Sequence, residues 1–439
     1  MAATRSSDLL ELLAIPSISS DVERGADMLR AAEWIAERLA FANGRVVETG
    51  GHPAVLADWL GAPGAPTILV YGHYDVQPPG HEHAWTTPPF APDIRDGRIY
   101  ARGATDDKGP VHIALETARR LHAHDGALPL NVRFLIEGEE EIGSPSLGPF
   151  LADNREALAC DLVVSADGAM WRPSEPSIAI AAKGLVALDL IVDGPVSDLH
   201  SGRHGGAVLN PNHALAAIVA SLHDAEGRVA VPGFYDDVVP LGDLSPVWFD
   251  EEAYRVEVGV PELHGEPGYT TLERLWARPT LEVNELRGGG AFTVIPRSAR
   301  AHLTCRLVPE QRPERIVDVI AAHVARAAPA AVRARVEARP GAVPAYAIEA
   351  DHPAVPAGVA ALRSVYPETE PLLVRIGGTL PAATLFEREL GVKTLLFSFS
   401  TADEQLHAPN EFFRLSRIDE GIEAWTALWR LLADCLTSR

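Results

Sequence analysis

The chain has 439 residues, 47% of them hydrophobic and 22% charged, and its formal net charge is −22 at pH 7. This length exceeds what one hydrophobic core covers, so the sequence predicts two domains. The acidic balance, without any cluster of Lys and Arg, excludes nucleic acid and anionic membrane surfaces from the expected partners.

The cysteines and the N-terminal segment predict the cellular compartment. Cys160, Cys305 and Cys435 are odd in number, far apart and set in apolar surroundings, with no C-x-x-C spacing. They predict buried thiols in a reducing compartment rather than disulfides or a thiolate metal site. The segment "MAATRSSDLLELLAIPSISS" has no apolar core followed by a cleavage site, and no stretch approaches ~18 consecutive apolar residues. We therefore expect a cytoplasmic protein.

Apolar runs alternate with helical patterns along much of the chain. An amphipathic helix is predicted from Ala26 to Ala42, and a second helical pattern runs from Val111 to His122. The apolar runs of strand length are "TILVY" from Thr67, "VRFLI" from Val132, "LVVSA" from Leu162 and "TLLFSF" from Thr394. Buried strands that alternate with helices predict an α/β fold, in which a mostly parallel sheet is sandwiched by helices.

The pattern changes in the middle of the chain. The segments "LVALDLIVDG" from Leu185 and "ARAHLTCRLVP" from Ala299 alternate apolar with polar residues, which is typical of strands with one wet face. Helical stretches follow from Asn210 and from Arg315. We predict a small α+β domain over residues 182–345, inserted into a larger domain formed by residues 1–181 and 346–439.

Acidic and histidine residues follow the predicted strands, where ligands gather in open parallel sheets. They are His73 and Asp75 after the first strand, Glu137, Glu139, Glu140 and Glu141 after the second, Asp167 after the third and His407 after the last. Asp106 and Asp107 lie between the first strand and its helix. The sequence therefore predicts that these side chains meet at one edge of the sheet.

Each of these residues also has a simpler interpretation. A lone histidine is commonly a hydrogen-bonded loop residue, Asp106 suits a helix N-cap, Asp167 suits a turn, and the glutamates suit a solvated loop. Taken together, two histidines and three carboxylates match what two divalent cations about 3.5 Å apart require, with one carboxylate bridging them. The cations would also offset the repulsion between adjacent glutamates.

Several motifs, in this order and spacing, carry a resemblance to a known family. They are "GHYDVQP", "RGATDDKG", "EGEEEIGS", "SADG", "DLHSGRHGG", "TVIPRSARAHLTCRLVP", "RIGGTLP" and "LHAPNE". Over essentially the whole chain, the sequence resembles the dinuclear metallopeptidases that include carnosine dipeptidase, cytosolic non-specific dipeptidase, carboxypeptidase G, acetylornithine deacetylase and succinyl-diaminopimelate desuccinylase. It is most similar to the dipeptidase branch. The resemblance implies a zinc-aminopeptidase-like sheet domain with an inserted ferredoxin-like lid and dimerisation domain.

The resemblance also implies roles for the residues at the predicted sheet edge. His73 and Asp167 would bind one metal, Glu141 and His407 the other, and Asp106 would bridge them. Glu140 would be the general base; Glu139 leaves the register ambiguous by one residue, and the following "IGS" decides for Glu140. Asp75 would orient the His73 imidazole. A cis peptide bond is expected between Asp106 and Asp107.

Further residues would bind the substrate. In the family a histidine matching His200 and a residue matching Thr293 act across a homodimer on the partner's substrate. Arg306, Gly378 and Thr379 match the group that holds the substrate's C-terminal carboxylate, and Arg375 is a weaker match. Two departures concern substrate preference, since Thr379 stands where the dipeptidases usually have Ser and Ile376 where many have Glu.

The resulting hypothesis is hydrolysis of dipeptides or similar small peptides that have a free C-terminal carboxylate. A hydroxide between two divalent cations would attack the amide, with Glu140 as base. Mixed N/O ligands suit zinc, with manganese or cobalt as alternatives. The main rival is an N-acyl-amino-acid amidohydrolase of the deacetylase or desuccinylase type. A glycosidase would need no metal-type histidines, and a metal-stabilised binding protein would need no free glutamate beside Glu141.

Overall fold

The computed structural model describes residues 7–240, 242 and 244–436, and the chain divides into two compact units. The larger unit comprises Met1–Ile180, Ile348–Val374 and Pro381–Arg439, and the smaller unit comprises Ala181–Ala347 and Arg375–Leu380. The division lies within two residues of the predicted boundaries. The sequence analysis placed residues 375–380 in the larger domain, whereas the structure groups Arg375–Leu380 with the smaller unit.

The larger unit is built on a nine-stranded sheet. Seven of its strands follow the order β1-β2-β6-β3-β7-β17-β8, and β15 and β16 both pair with β8. Its strands are β1 (Arg45–Val47), β2 (Ala54–Trp59), β3 (Thr67–His73), β6 (Asn131–Glu137), β7 (Leu162–Ser165), β8 (Ser177–Ala182), β15 (Tyr346–Ala347), β16 (Leu372–Ile376) and β17 (Thr394–Leu396).

The centre of this sheet is parallel, as predicted. Strand β3 pairs in parallel with both β6 and β7, and β7 pairs in parallel with β17, whereas β1, β2 and β8 pair antiparallel towards the edges. All residues of β3 after Thr67 are buried, because helices cover both faces. The parallel arrangement brings the carboxyl ends of β3, β6 and β7 to one edge.

The helices of the larger unit pack on this sheet and on one another. They are α1 (Ser7–Leu13), α2 (Gly25–Arg38), α3 (Lys108–Asp125), α4 (Leu147–Asp153), α10 (Ala354–Val365), α11 (Pro381–Leu390) and α12 (Leu415–Cys435). Helix α2 is shorter than predicted, since it ends at Arg38 and is followed by a 3₁₀ turn over Ala40–Ala42. Helix α3 is longer than its predicted core of residues 111–122.

A small antiparallel sheet that the sequence did not reveal combines two strands between β3 and α3 in chain order with one strand that follows His407. It consists of β4 (Asp93–Arg95), β5 (Arg98–Tyr100) and β18 (Phe412–Arg414) in the order β18-β5-β4. Strands of three residues are too short to show a periodic pattern. Through the pairing of Phe412 with Tyr100, this sheet brings the segment after His407 next to the loop that contains Asp106.

The smaller unit contains a four-stranded antiparallel sheet in the order β11-β13-β9-β14. The connection is βαββαβ, through β9 (Gly184–Asp193), α6 (Pro211–Ala220), β11 (Thr280–Gly288), β13 (Ser298–Leu307), α9 (Pro313–Ala327) and β14 (Arg333–Ala338), which is the ferredoxin-like arrangement. Burial alternates strictly along β9, so one face forms a core with α6 and α9. Short elements complete the unit: β10 (Leu199–His200), α5 (Ser201–His204), α7 (Glu251–Val258), α8 (Thr271–Ala277) and β12 (Val294–Ile295).

The cysteines agree only in part with their predicted burial. None of the three forms a disulfide, and Cys305 is buried while Cys160 is half-buried. The prediction is wrong for Cys435, which is exposed at the end of α12, where the last helical turn leaves the core. Among residues 7–240, 242 and 244–436, no helix has the length and apolar character that a membrane span needs.

Candidate metal centre

His73 is the last residue of β3 and is completely buried. The residue before it is Gly72, at which a Cβ atom would lie 2.5 Å from Val111 Cγ2 and 2.7 Å from Asp107 Oδ2. Glycine therefore allows the Asp106–Asp107 loop to approach the strand, and the His73 amide donates a hydrogen bond to Asp107 Oδ2 at 3.2 Å. The peptide bond between Asp106 and Asp107 is cis.

Five of the predicted side chains form two overlapping groups. His73, Asp106 and Asp167 make one group, and Asp106, Glu141 and His407 make the other; within each group the potential ligand atoms lie within 4.8 Å of one another. The two Asp106 oxygens face opposite partners, with Oδ1 at 3.1 Å from His73 Nε2 and Oδ2 at 2.9 Å from His407 Nε2. The geometry therefore suits Asp106 as a ligand shared by two cations.

Asp75 connects the first histidine to the glutamate pair. His73 Nδ1 lies 3.1 Å from the Asp75 carbonyl oxygen and 3.3 Å from its Oδ1, which leaves Nε2 facing Asp106. The same buried carboxylate accepts hydrogen bonds from the Glu140 amide at 3.2 Å and the Glu141 amide at 3.0 Å. One side chain therefore orients the imidazole and also holds the main chain that presents both glutamates.

The four glutamates at the end of β6 have different surroundings. Glu137 accepts hydrogen bonds from the Tyr71 and Ser144 hydroxyls, and Glu139 accepts from the His52 and Ser146 amides, so both have structural partners. The Glu141 carboxylate lies 3.2 Å from His407 Nε2. It also accepts hydrogen bonds from the main-chain amide and from the side-chain amide of Gln77. This arrangement separates Glu139 from the glutamate pair that faces the centre.

Glu140 differs from the other three because its carboxylate has no hydrogen bond to any residue that the structure describes. Burial raises its pKa well above the ordinary value; His73 opposes this, while Asp167, Asp106 and Glu141 raise it further. A carboxyl group with a raised pKa beside a candidate metal centre is suited to take up and release a proton.

The electrostatics of the centre fit divalent cations. Burial raises the pKa of Asp167 to about 6, and although His73 lowers it, Asp106 and Glu141 act in the same direction as burial. Hydrogen bonds to Asp106 and Glu141 raise the pKa of His407 to about 10. The donor set thus combines crowded carboxylates with two imidazoles that face them, and a bound cation would have to displace the imidazole protons.

His407 reaches this edge from a loop rather than from a strand end. The sequence predicted a strand from Thr394 to Phe399, but β17 ends at Leu396. Gln405, His407 and Asn410 all have left-handed backbone conformations, with φ of 60°, 58° and 63°. Non-glycine residues rarely adopt this region, and such strain is concentrated at functional sites.

Comparison with known proteins agrees with this geometry. Residues 69–431 match the model of peptidase family M20/M25/M40. The chain belongs to this family. It is similar to the Cys-Gly metallodipeptidase DUG1 of Candida albicans, with 29% identity over 94% of this chain and 91% of that protein. It is also similar to the human Beta-Ala-His dipeptidase, with 30% identity over 87% of this chain and 78% of that protein.

A solved structure extends the similarity to the fold of this M20 peptidase. The M20 family metallo-carboxypeptidase Sso-CP2 from Sulfolobus solfataricus superposes with a TM-score of 0.83 and 30% identity, over 98% of this chain and 99% of that one. The predicted family, its dipeptidase branch and the α/β fold with a mostly parallel sheet are confirmed. The protein is a metallopeptidase.

Two residues of the M20 peptidase centre were missed by sequence reasoning, although both lie within the motifs. Gln77 fixes Glu141, as described above. Glu411, which ends "LHAPNE", is completely buried, and its two oxygens accept four hydrogen bonds. Oε2 accepts from Arg102 Nη1 at 2.6 Å and the Gly103 amide at 3.0 Å, and Oε1 accepts from the Thr105 amide at 2.9 Å and the Asp106 amide at 3.2 Å. Glu411 therefore holds the loop that presents Asp106.

We expect Glu411→Gln to weaken metal binding as well as folding. Both oxygens of Glu411 face N–H donors, so an amide nitrogen on either side would meet a donor and leave buried groups unsatisfied, at a cost of about 1–3 kcal/mol each. The free energy of unfolding and the zinc affinity would be measured together. Glu116→Gln is the control, because Glu116 is a buried glutamate paired with Arg119 and Arg120 on α3. Equal zinc affinity in both variants would contradict a positioning role for Glu411.

The predicted substrate residues all lie in the smaller unit. His200 and Thr293 are exposed and adjacent, since β10 pairs with β12 and the Thr293 carbonyl accepts from the Ser201 amide and hydroxyl. His200 Nδ1 accepts from the Gly202 amide at 3.1 Å, which leaves Nε2 available. Arg306 Nη1 donates to Thr379 Oγ1 at 2.7 Å, beside Gly378. Arg375 is buried, and its Nε has no hydrogen-bond partner among the described residues.

Proposed function

We propose that the protein hydrolyses the amide bond of dipeptides, or of similar small peptides with a free C-terminal carboxylate. The observation that supports this most directly is the overlap of two ligand groups at Asp106, with the unpaired carboxylate of Glu140 beside them. His73 and Asp167 would hold one divalent cation and Glu141 and His407 the other. Zinc suits these N/O ligands, and manganese or cobalt are alternatives.

Two bound cations would supply the positive charge that acidifies water and polarises the amide carbonyl. Glu140 takes the proton from the attacking water, because its raised pKa favours proton uptake and its carboxylate has no hydrogen-bond partner among the described residues. The same carboxyl group then donates this proton to the leaving amine. Asp75 keeps Glu140 in position during both proton transfers, because it accepts hydrogen bonds from the main-chain amides of Glu140 and Glu141 rather than from their side chains.

Arg306, Gly378 and Thr379 would receive the C-terminal carboxylate, with Arg375 as a further candidate. A guanidinium presents a planar fork of donors that matches a carboxylate, and the Thr379 hydroxyl already fixes one arm of Arg306. We further propose a homodimer in which His200 and Thr293 act on the partner's substrate. The exposed Nε2 of His200 is suited to stabilise an amide oxygen as negative charge develops on it. The three free thiols support a cytoplasmic location.

A second candidate function is hydrolysis of N-acyl amino acids at the same site. It is favoured by one residue, Ile376, which stands where many dipeptidases have Glu. An apolar side chain there cannot form an ion pair with a charged group of a dipeptide. The carboxylate-binding group would serve both kinds of substrate equally.

A substrate panel separates the two functions. Cys-Gly, β-Ala-His and Ala-Ala would be compared with N-acetyl- and N-succinyl-amino acids and with dipeptide amides, after chelation and readdition of each metal. We expect the dipeptides to be hydrolysed best, and kcat/KM to fall about tenfold or more for the amides, because a charge-assisted hydrogen bond contributes about 1.5–3 kcal/mol. No activity should remain after chelation. Preference for the N-acyl compounds, or equal rates on the amides, would contradict the proposal.

A further inference from the structure

A buried lysine lies beside the predicted carboxylate group of the smaller unit. Arg306 on β13 is opposite Leu185 on one side of the sheet, and Lys183 is the residue just before β9 begins at Gly184. This side is opposite to the core formed by Val186 and Leu188. The Lys183 amide donates to the Ile376 carbonyl at 3.1 Å, which joins it to the segment that carries Thr379.

Neither Lys183 nor Arg306 has an acidic partner among the residues that the structure describes. Lys183 is 4% exposed, and within the described part of the chain its Nζ donates only to the Arg274 carbonyl, at 3.0 Å. Nearby Arg278, in contrast, is neutralised by Glu266 through two hydrogen bonds of 2.8 Å. Burial, together with the nearby charges of Arg306 and Arg278, lowers the pKa of Lys183 to about 8.

A buried ammonium group that interacts with a second cation and has no anionic partner among the described residues is unfavourable. An anionic ligand would offset that cost. One carboxylate neutralises only one of the two charges, whereas a ligand with two carboxylates neutralises both. Arg306 suits the planar α-carboxylate, and the compact ammonium of Lys183 suits a second, separate carboxylate.

We propose that Lys183 and Arg306 form a dicationic site for the C-terminal residue of the substrate, and that Lys183 selects Asp or Glu at this position. The proposal rests on the proposed peptidase function and names the substrate class of the same site. Lys183 lies outside every motif that supports the family resemblance.

The test compares Ala-Glu, Ala-Gln and Ala-Ala as substrates of the metal-loaded enzyme. We expect kcat/KM for Ala-Glu to exceed that for Ala-Gln by about tenfold or more, since an ionic hydrogen bond in a buried site is worth at least that factor. Lys183→Met should remove this preference while Ala-Gln turnover stays within about threefold. Lys183→Arg should keep the preference. Lys393→Met is the control, because Lys393 is a lysine of the larger unit that pairs with Glu387.

Binding of the free amino acids tests the site without turnover. Calorimetry should show glutamate binding about tenfold more tightly than glutamine, and the difference should disappear in Lys183→Met. Equal binding of the two amino acids would overturn the proposal. An equal loss of kcat/KM for all three substrates in Lys183→Met, together with lower stability, would also overturn it, and Lys183 would then only support the end of α8. Failure of the peptidase function itself would appear separately, as absence of dipeptide turnover with glutamate binding intact.

Discussion

Replacing Glu140 with glutamine is expected to lower turnover by about 10²- to 10⁴-fold, the range typical of a lost general acid or base. An amide of nearly the same shape cannot accept the proton from water or return it to the leaving amine. The carboxylate has no structural partner among the described residues, so folding and metal content should remain close to those of the unchanged protein. Steady-state kinetics, bound metal and thermal unfolding would be measured on the same samples.

Glu139→Gln provides the matched control, because Glu139 is the neighbouring residue that the sequence alone could not separate from the base. Its carboxylate accepts hydrogen bonds from the His52 and Ser146 amides. We expect this variant to unfold at lower temperature yet to keep most of its turnover per folded molecule. If Glu139→Gln lost turnover while Glu140→Gln kept it, the assignment of the base would be wrong by one residue.

Replacing Asp106 with alanine is expected to remove both metal ions at once. Asp106 is the only residue common to the two ligand groups found among the described residues. Loss of residues that merely support a ligand commonly weakens metal binding by about 10- to 100-fold, so loss of a shared ligand should exceed this. Metal stoichiometry and affinity would be measured by titration with zinc.

The comparison with Asp167→Ala and His407→Ala makes this test specific. Each of these residues belongs to one group only, so each variant should lose one ion and keep the other. Asp106→Ala would then differ from both in stoichiometry and not only in activity. If all three variants lost a single ion, Asp106 would not be a shared ligand.

The parts of the centre that the sequence predicted are those encoded near strand ends. His73 is the last residue of β3 and Asp167 lies two residues after β7, and in a parallel sheet the ends of such strands meet at one edge. The motifs then fixed the register of the glutamates. The structure places His407 beside Asp106, although the strand before it ends earlier than expected.

The parts that could not be predicted depend on contacts between distant segments. Four hydrogen bonds to Glu411 come from the loop about 300 residues earlier, and three-residue strands bring the two segments together. No periodicity marks strands of that length. Lys183 was missed for a similar reason, since a single lysine between two strands has no pattern that separates a buried cation from a surface residue.

Asp75 has a consequence for redesign of this enzyme. The Asp75 carboxylate accepts hydrogen bonds from the main-chain amides of Glu140 and Glu141 and not from their side chains. The backbone that presents the two glutamates is therefore fixed independently of the side chain at position 140. A new proton-transfer group or nucleophile could therefore be installed at position 140 with little disturbance to Glu141. The scaffold separates the choice of side chain at position 140 from the backbone position of residue 141.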